Sequence, residues 1–324
     1  MQPVSIVATV LNEAQDISRM VAGLLAQEPP AAEVVIVDGG SSDGTWEWLA
    51  AAQASGLGPT RLLAIRDESC SLKCSPGPVS RGRNVAIAAA RSGVIATADA
   101  GCTYAPNWLA NLTGPLVAGA ARYALGGACL DPADCTVWDV ASAPFFSIKL
   151  TPSEPTKSCT ARSMAFTREL WKEIGGFPQE VLVGEDTLFD LEARRRTRPF
   201  FAPNAKAFYR PRNGFRSAAH QMARYAVSDG QAGVRWARMF RNAARCLAEV
   251  AVLVLLAWTW IPLIVDFVLE CWFAYKRDWR ILPRFGLRAV LARFLFSIAV
   301  PWIVAVNQIR GRLSSGRLTN KQNA

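Results

Sequence analysis

Residues 34–45 read VVIVDGGSSDGT, and their order decides the fold class. A short, uninterrupted β-branched run (34–37) gives way to Asp38, Gly39 and Gly40, then to Ser41, Ser42, Asp43, Gly44 and Thr45. Four consecutive apolar residues without alternation fit a strand covered on both faces, as in a parallel sheet. The polar, glycine-rich segment that follows fits a turn leading into a helix at about 45–54. Working outward, VSIVATVL at 4–11 is a second such run, followed by Asn12-Glu13 and a helical pattern through Met20, Val21, Leu24 and Leu25. Leu62–Ile65, a helix at 80–91 and a strand at 93–98 ending on Asp99 continue the alternation. Strands alternating with helices of this length predict βαβ units and an α/β fold with a mostly parallel sheet.

In open sheets of this kind ligands bind outside the carboxyl ends of the strands. Asn12 and Glu13, the 38–43 segment and Asp99 all follow strands, so these three segments are expected to meet in one crevice. The glycine-rich segment is neither a dinucleotide loop, since no G-x-G-x-x-G opens a helix, nor a P-loop, since no G-K-[ST] follows. A carboxylate at a strand end beside small residues remains. Asp38 is suited to accept hydrogen bonds from a ribose hydroxyl or a base N–H, and Gly39 lets the backbone approach a nucleotide. Asp43 or Ser42 is expected to cap the following helix.

The chain has 324 residues, of which 51% are hydrophobic and 19% charged, which excludes disorder as its main state. Its net charge of +10 is unevenly placed. Residues 205–324 hold 19 Lys/Arg and 5 Asp/Glu, a net of +14, whereas residues 1–204 hold 17 and 21, a net of −4. The basic excess flanks long apolar runs, which fits an anionic membrane surface better than a nucleic acid, and no nucleic-acid partner is expected. Residues 250–269 contain one charge, Asp266, and residues 294–309 contain none. A spanning helix needs about 20 apolar residues, so the first run qualifies and the second is marginal. Between them, Lys276, Arg277, Arg280, Arg284, Arg288 and Arg293 against Asp278 give residues 276–293 a net of +5. Two full spans would put that stretch outside, against the positive-inside tendency, and a shallow pair would keep it inside. Both arrangements stay open on sequence. Arg235, Arg238, Arg241 and Arg245 share one helix face and suit an anionic leaflet. The opening residues lack a basic n-region and a cleavage site, so the first part is expected on the cytoplasmic side of the inner membrane. The eight cysteines have no zinc-ribbon spacing, and His220 is the only histidine, so packed, reduced thiols are expected.

Further motifs follow in order: SRGRNVAIAAARSG at 80–93, Ala98-Asp99-Ala100-Gly101, FTRELWKEIGGF at 166–177, GEDTLFDLEARRR at 184–196, and Gln221-Met222-Ala223-Arg224-Tyr225. With Asn12-Glu13 and VDGGSSDGT, this order resembles family 2 glycosyltransferases of the GT-A fold over about residues 3–215. The last motif is similar to the Q-x-x-R-W type of membrane-bound members. Within the family, the DGGS run and the DAG-type motif resemble bacterial exopolysaccharide enzymes of the succinoglycan type.

The resemblance implies transfer of a sugar, with inversion, from a nucleotide-diphosphate donor to a hydroxyl acceptor, lipid-linked or saccharide. It implies donor contacts from Asn12, Glu13, Asp38, Gly39, Arg83, Asp99, Gln221, Arg224 and Tyr225. Asp186 matches the catalytic base and Glu185 its positioning neighbour, while Asp190 reads as structural. Asp99 matches the first Asp of the D-x-D motif and would bind a divalent cation, Mg²⁺ or Mn²⁺, with His220 able to complete the shell. Gly101 replaces the second Asp of that motif, which puts metal dependence in question and supports a non-catalytic sugar-nucleotide sensor or assembly partner as an alternative. Arg83 is expected near the donor or as a structural bridge to Asp38. The implied organisation is a catalytic domain at 1–215, a basic amphipathic region at 216–245, one or two membrane-embedded helices at 246–310, and a basic tail at 311–324. Residues 136–160, rich in Pro, Ser and Thr, are expected to form a loop region shaping a second site.

Overall fold

The computed structural model describes residues 2–56, 58–131, 134–146, 148, 161–209, 214–233, 235–255, 261, 264–265, 267–269, 272 and 282–322. Two compact units emerge, one of residues 1–129 and 151–209, the other of residues 130–150 and 210–324.

The first unit is built on an eight-stranded sheet. In chain order its elements are β1 (Val4–Val10), α1 (Ile17–Leu25), β2 (Glu33–Asp38), α2 (Thr45–Ser55), β3 (Arg61–Arg66), α3 (Pro78–Ala89), β4 (Val94–Thr97), β5 (Cys102–Tyr104) and α4 (Trp108–Val117). They continue with β6 (Tyr123–Cys129), β7 (Met164–Thr167), α6 (Arg168–Ile174), α7 (Glu185–Arg196) and β8 (Phe200–Tyr209). The strand order is β3-β2-β1-β4-β7-β6-β8-β5. β3, β2, β1 and β4 are parallel, and β7 enters antiparallel to both β4 and β6. Every residue of β2 is buried, as a strand covered on both faces requires. On one face Val7, Val35, Ile95 and Phe166 pack with Ile87 of α3, Leu170 of α6 and Phe189 of α7. Phe177 and Phe189 stack at a centroid distance of 4.3 Å, and Phe166 tilts against both at 6.0 and 4.9 Å.

The first four strands and α1 to α3 fall where the hydrophobic pattern puts them. The expected strand at 161–167 shortens to β7, because Ala161–Ser163 form a 3-10 turn.

The second unit holds α5 (Val137–Ser142), α8 (Phe215–Ala232), α9 (Trp236–Leu255) and α10 (Leu282–Gln322). Residues 137–146 are helical, so the expected loop at 136–160 begins as structure; Thr136 caps α5 through reciprocal bonds with Asp139. Residues 149–160 lie outside the described residues, as do Pro262, Asp266 and the basic stretch 273–280. Residues 288–314 of α10 form one helix long and apolar enough, by length and composition, to cross a membrane. The 294–309 run is marginal alone, but its helix continues in both directions. Only residues 250–255, 261, 264–265 and 267–269 of the other run are described, so its span reading falls partly outside them. Three arginines of the basic face are ion-paired within the unit, Arg235 and Arg238 each reaching Asp229 at 3.5 Å and Arg245 reaching Glu249 at 3.5 Å, while Arg241 is exposed.

Candidate active site

The loops after β1 and β2 are stitched to each other. Asn12 N–H donates to Ser41 Oγ at 2.8 Å, and Asn12 Oδ1 accepts from Ser42 N–H at 2.9 Å. Glu13 N–H donates to Thr45 Oγ1 at 2.8 Å, and Ala14 N–H to Asp43 Oδ2 at 3.0 Å. Asp43 also accepts from the Thr45 hydroxyl, and these bonds hold its carboxyl below its ordinary value. Gly44 is the residue that precedes α2, so Asp43 braces the turn instead of capping the helix.

Asp38 is fully buried, and its Oδ1 accepts from Gly40 N–H at 2.9 Å and Ser41 N–H at 2.8 Å. Its Oδ2 is buried without a hydrogen-bond partner. Oδ1 thus folds the loop, and Oδ2 is the atom through which the expected contact of Asp38 with a ribose or base would be made. Gly39 must be glycine, because a Cβ there would lie 2.7 Å from the Cys70 carbonyl oxygen.

The chemistry concentrates around Arg83 on α3. Its Nη2 donates to Asp99 Oδ1 at 2.6 Å and its Nη1 to Glu185 Oε1 at 2.5 Å. The expected alternative of a bridge to Asp38 is not formed; Asp99 and Glu185 take the guanidinium. Phe177 lies beneath it at 5.5 Å. Burial alone would weaken its hold on the proton, but the two carboxylates outweigh that and keep Arg83 above its ordinary value. Burial pushes the Glu185 carboxyl up, Arg83 opposes this, and the neighbouring Asp186 adds to it, with a net rise.

Asp186 sits in the first turn of α7, one residue beyond Glu185. Its Oδ1 accepts from Thr187 N–H at 2.7 Å, and its Oδ2 from Ala161 N–H at 3.4 Å. Asp190 accepts from the Tyr123 hydroxyl at 2.8 Å and from Arg194, the structural role expected of it. Asp99, Arg83, Glu185 and Asp186 thus form one cluster. Asp38 shares the same sheet edge, separated from the Asp99 strand by β1, or roughly 10 Å at two strand spacings.

Three supporting residues carry no catalytic signature in sequence. The Tyr104 hydroxyl accepts from Asp99 N–H at 2.9 Å. Phe177 forms the shelf under Arg83. Asn84, next to Arg83, fixes that shelf through Phe177 N–H and C=O at 2.8 Å each. The Arg-Asn pair of SRGRN was the available signal.

His220, Gln221, Arg224 and Tyr225 lie on α8 in the second unit. His220 and Arg224 are exposed, and Gln221 Nε2 donates to the Tyr225 hydroxyl at 3.0 Å. Among the described residues no group of three His, Cys, Asp or Glu gathers, so neither Asp99 nor His220 sits in a preformed metal cage. Asp99 still has Oδ2 without a protein partner among the described residues, and its side chain is 24% exposed. Mg²⁺ commonly takes one or two carboxylates and completes its shell with substrate phosphates and water. The residues present therefore fit a cation delivered with a phosphate ligand. Gly101, at φ 71° with open space around a built Cβ, contributes nothing to hold it. The described cysteines are free thiols, and burial pushes Cys70 up to about 11 and Cys102 up to about 12. Cys159 and Cys271 lie outside the described residues.

The profile of glycosyl transferase family 2 matches residues 5–175. The chain belongs to this family. A succinoglycan biosynthesis protein, ExoU, of Rhizobium meliloti (strain 1021) is 38% identical over 109 residues, which is 34% of this chain and 29% of that relative. A family 2 chain is expected to share the GT-A architecture, and it does. The mannosyltransferase PcManGT from Pyrobaculum calidifontis, solved with GDP-Man and Mn²⁺, superposes with a TM-score of 0.61 at 20% identity, covering 92% of this chain and 87% of that one. GalNAc-T7, solved with UDP, GalNAc and Mn²⁺, gives 0.51 at 18% identity over 71% of this chain and 48% of that one.

Proposed function

We propose that this family 2 protein transfers a sugar from a nucleotide-diphosphate donor to a hydroxyl acceptor, with inversion, in the synthesis of a cell-surface polysaccharide or glycolipid. The observation that carries this reading is the Asp99–Arg83–Glu185–Asp186 cluster at the carboxyl ends of the strands. Support for the exopolysaccharide context comes from the similarity to the succinoglycan biosynthesis protein. The acceptor is proposed to be lipid-linked and the protein membrane-associated, with its first unit on the cytoplasmic face of the inner membrane. The basic, apolar second half motivates that placement.

In the proposed reaction the acceptor oxygen attacks the anomeric carbon from the face opposite the diphosphate. A new C–O bond forms, the bond to the diphosphate oxygen breaks, and the nucleoside diphosphate leaves with the electron pair. Asp186 takes the acceptor proton as general base. Glu185, pinned by Arg83, holds the start of α7 so that Asp186 keeps its direction. The stitched 12–14 and 38–45 loops form a preordered floor for the nucleotide, with Asn12, Glu13 and Gly39 at its edge. A divalent cation held by Asp99 would neutralise charge on the leaving diphosphate.

Incubating the full chain with a panel of nucleotide sugars and a bacterial lipid extract, then reading products by mass, tests the proposal. One donor is expected to add a sugar mass to an extract component. Gly101 favours a second reading, a sugar-nucleotide sensor without turnover. Donor binding with neither transfer nor hydrolysis across the panel would establish it instead.

A further inference from the structure

α10 is two-faced. Leu291, Leu295, Ile298, Trp302, Val306 and Ile309 are exposed. At 100° per residue all six point within about 40° of Trp302. The opposite side is protein-covered: Phe296, Val300 and Val304 pack with Ala218, Met222 and Ala226 of α8. The two helices touch backbone to backbone, since a Cβ on Gly230 would lie 2.1 Å from the Gln308 carbonyl oxygen and one on Gly311 2.1 Å from that of Val227. α8 therefore runs alongside α10 in the same direction from Phe296, against Phe215, to Gly311, against Val227.

That pairing decides how the window meets a membrane. Arg216, His220, Arg224 and Gln231 are exposed on α8. If α10 crossed the bilayer, α8 would be carried into the hydrocarbon beside it, with these side chains facing lipid. Charged side chains at that depth are strongly disfavoured. The apolar stripe alone, by contrast, is continuous and about 27 Å long at 1.5 Å per residue, and suits shallow burial of one helix face. α9 lies beside it, with Trp302 Nε1 donating to Glu249 Oε2 at 2.6 Å, and exposes Leu247, Val250 and Val254.

Charge selects the occupant. The described acids of α8, α9 and α10 are Asp229 and Glu249, both ion-paired with arginines of the same unit. The exposed charges, among them Arg241, Arg288 and Arg310, are all cationic among the described residues. A second copy would oppose positive charge with positive charge, whereas an anionic lipid surface complements it.

We propose that α10 does not span: it lies in the plane of an anionic membrane surface with the Leu291–Ile309 stripe inserted. This deepens the membrane association proposed above and rests on it. The test uses the purified full chain and vesicles of phosphatidylcholine with or without one-third phosphatidylglycerol. The wild type is expected to co-sediment with the anionic vesicles. The exposed double substitution Leu295→Glu with Val306→Glu is expected to weaken that at least tenfold, with an unchanged melting temperature. In bacterial cells, alkaline phosphatase inserted at residue 282 or fused after residue 324 is expected to be inactive, and a fluorescent protein at the same places to fluoresce. Phosphatase activity at either place overturns the in-plane arrangement while leaving membrane association standing. Failure of the wild type to bind either vesicle overturns both. Variants that bind vesicles like the wild type overturn the stripe as the contact, and so does a dimer-to-monomer change with unaltered vesicle binding, which would assign the stripe to a second copy.

Discussion

Arg83 joins two carboxylates that arrive from distant parts of the chain, Asp99 after β4 and Glu185 at the start of α7. Its side chain is 3% exposed, and those of its partners 24% and 11%. Removing one partner from a buried ion pair costs about 3–5 kcal/mol, because the other charge is left without compensation. Arg83→Met is therefore expected to lower stability by about that much in urea denaturation, and adding Glu185→Gln to recover part of it. Lysine is a poor substitute, since one ammonium cannot reproduce the fork that reaches both carboxylates. The raised Glu185 carboxyl has its own signature. A carboxyl raised in the folded state stabilises fully below its unfolded value, 4.5, and loses that contribution as pH climbs through the folded value. The stability of Glu185→Gln relative to wild type is thus expected to rise as pH increases above 4.5; a pH-independent difference would contradict the account. Sequence pointed to Asp99, Glu185 and Asp186, but the partner of Arg83 was not legible, since 102 residues separate it from Glu185.

α3 places that arginine, and its seat on the sheet is tight. A Cβ at Gly82 would meet Thr9 Oγ1 at 2.4 Å and Thr9 Cβ at 3.0 Å. Gly82→Ala is expected to push α3 off β1 and to cost about 1–3 kcal/mol. Thr9→Ala in the same chain removes the nearer atom and is expected to restore part of the loss. The elements that sequence disclosed, β1 to β4 with α1 to α3, are those with unbroken β-branched runs or clear helical spacing. β6 reads YALGGAC and β8 FFAPNAKAFY, where glycines, a proline and an asparagine mask the strand signal. The pairing of β6 with β7 and β8, and of β8 with β5, not local propensity, makes them strands. α10 shows the converse: its apolar run looked marginal because Arg293 and Arg310 bracket it, yet the helix runs through both.

Across the whole molecule, charge and hydropathy divide as the chain does, with −4 before residue 205 and +14 after it. Vesicle binding is then expected to be partly electrostatic. Raising salt from about 0.05 M to about 0.5 M should weaken it without abolishing it, because screening acts on the arginines and leaves the apolar stripe untouched. The division itself was legible from composition. The one-sided covering of α10 was not, because it depends on glycine contacts between helices that composition does not encode.

The central claim is that Asp186 is the base of a sugar transfer. Asn preserves its size and the oxygen that accepts from Thr187, so Asp186→Asn isolates the proton-accepting role. Turnover with the identified donor and acceptor, measured beside donor affinity by calorimetry, is the most direct test. The account predicts a fall in turnover of about 10²–10⁴-fold with donor affinity kept within about twofold; turnover close to wild type, or parallel loss of turnover and donor affinity, would contradict it.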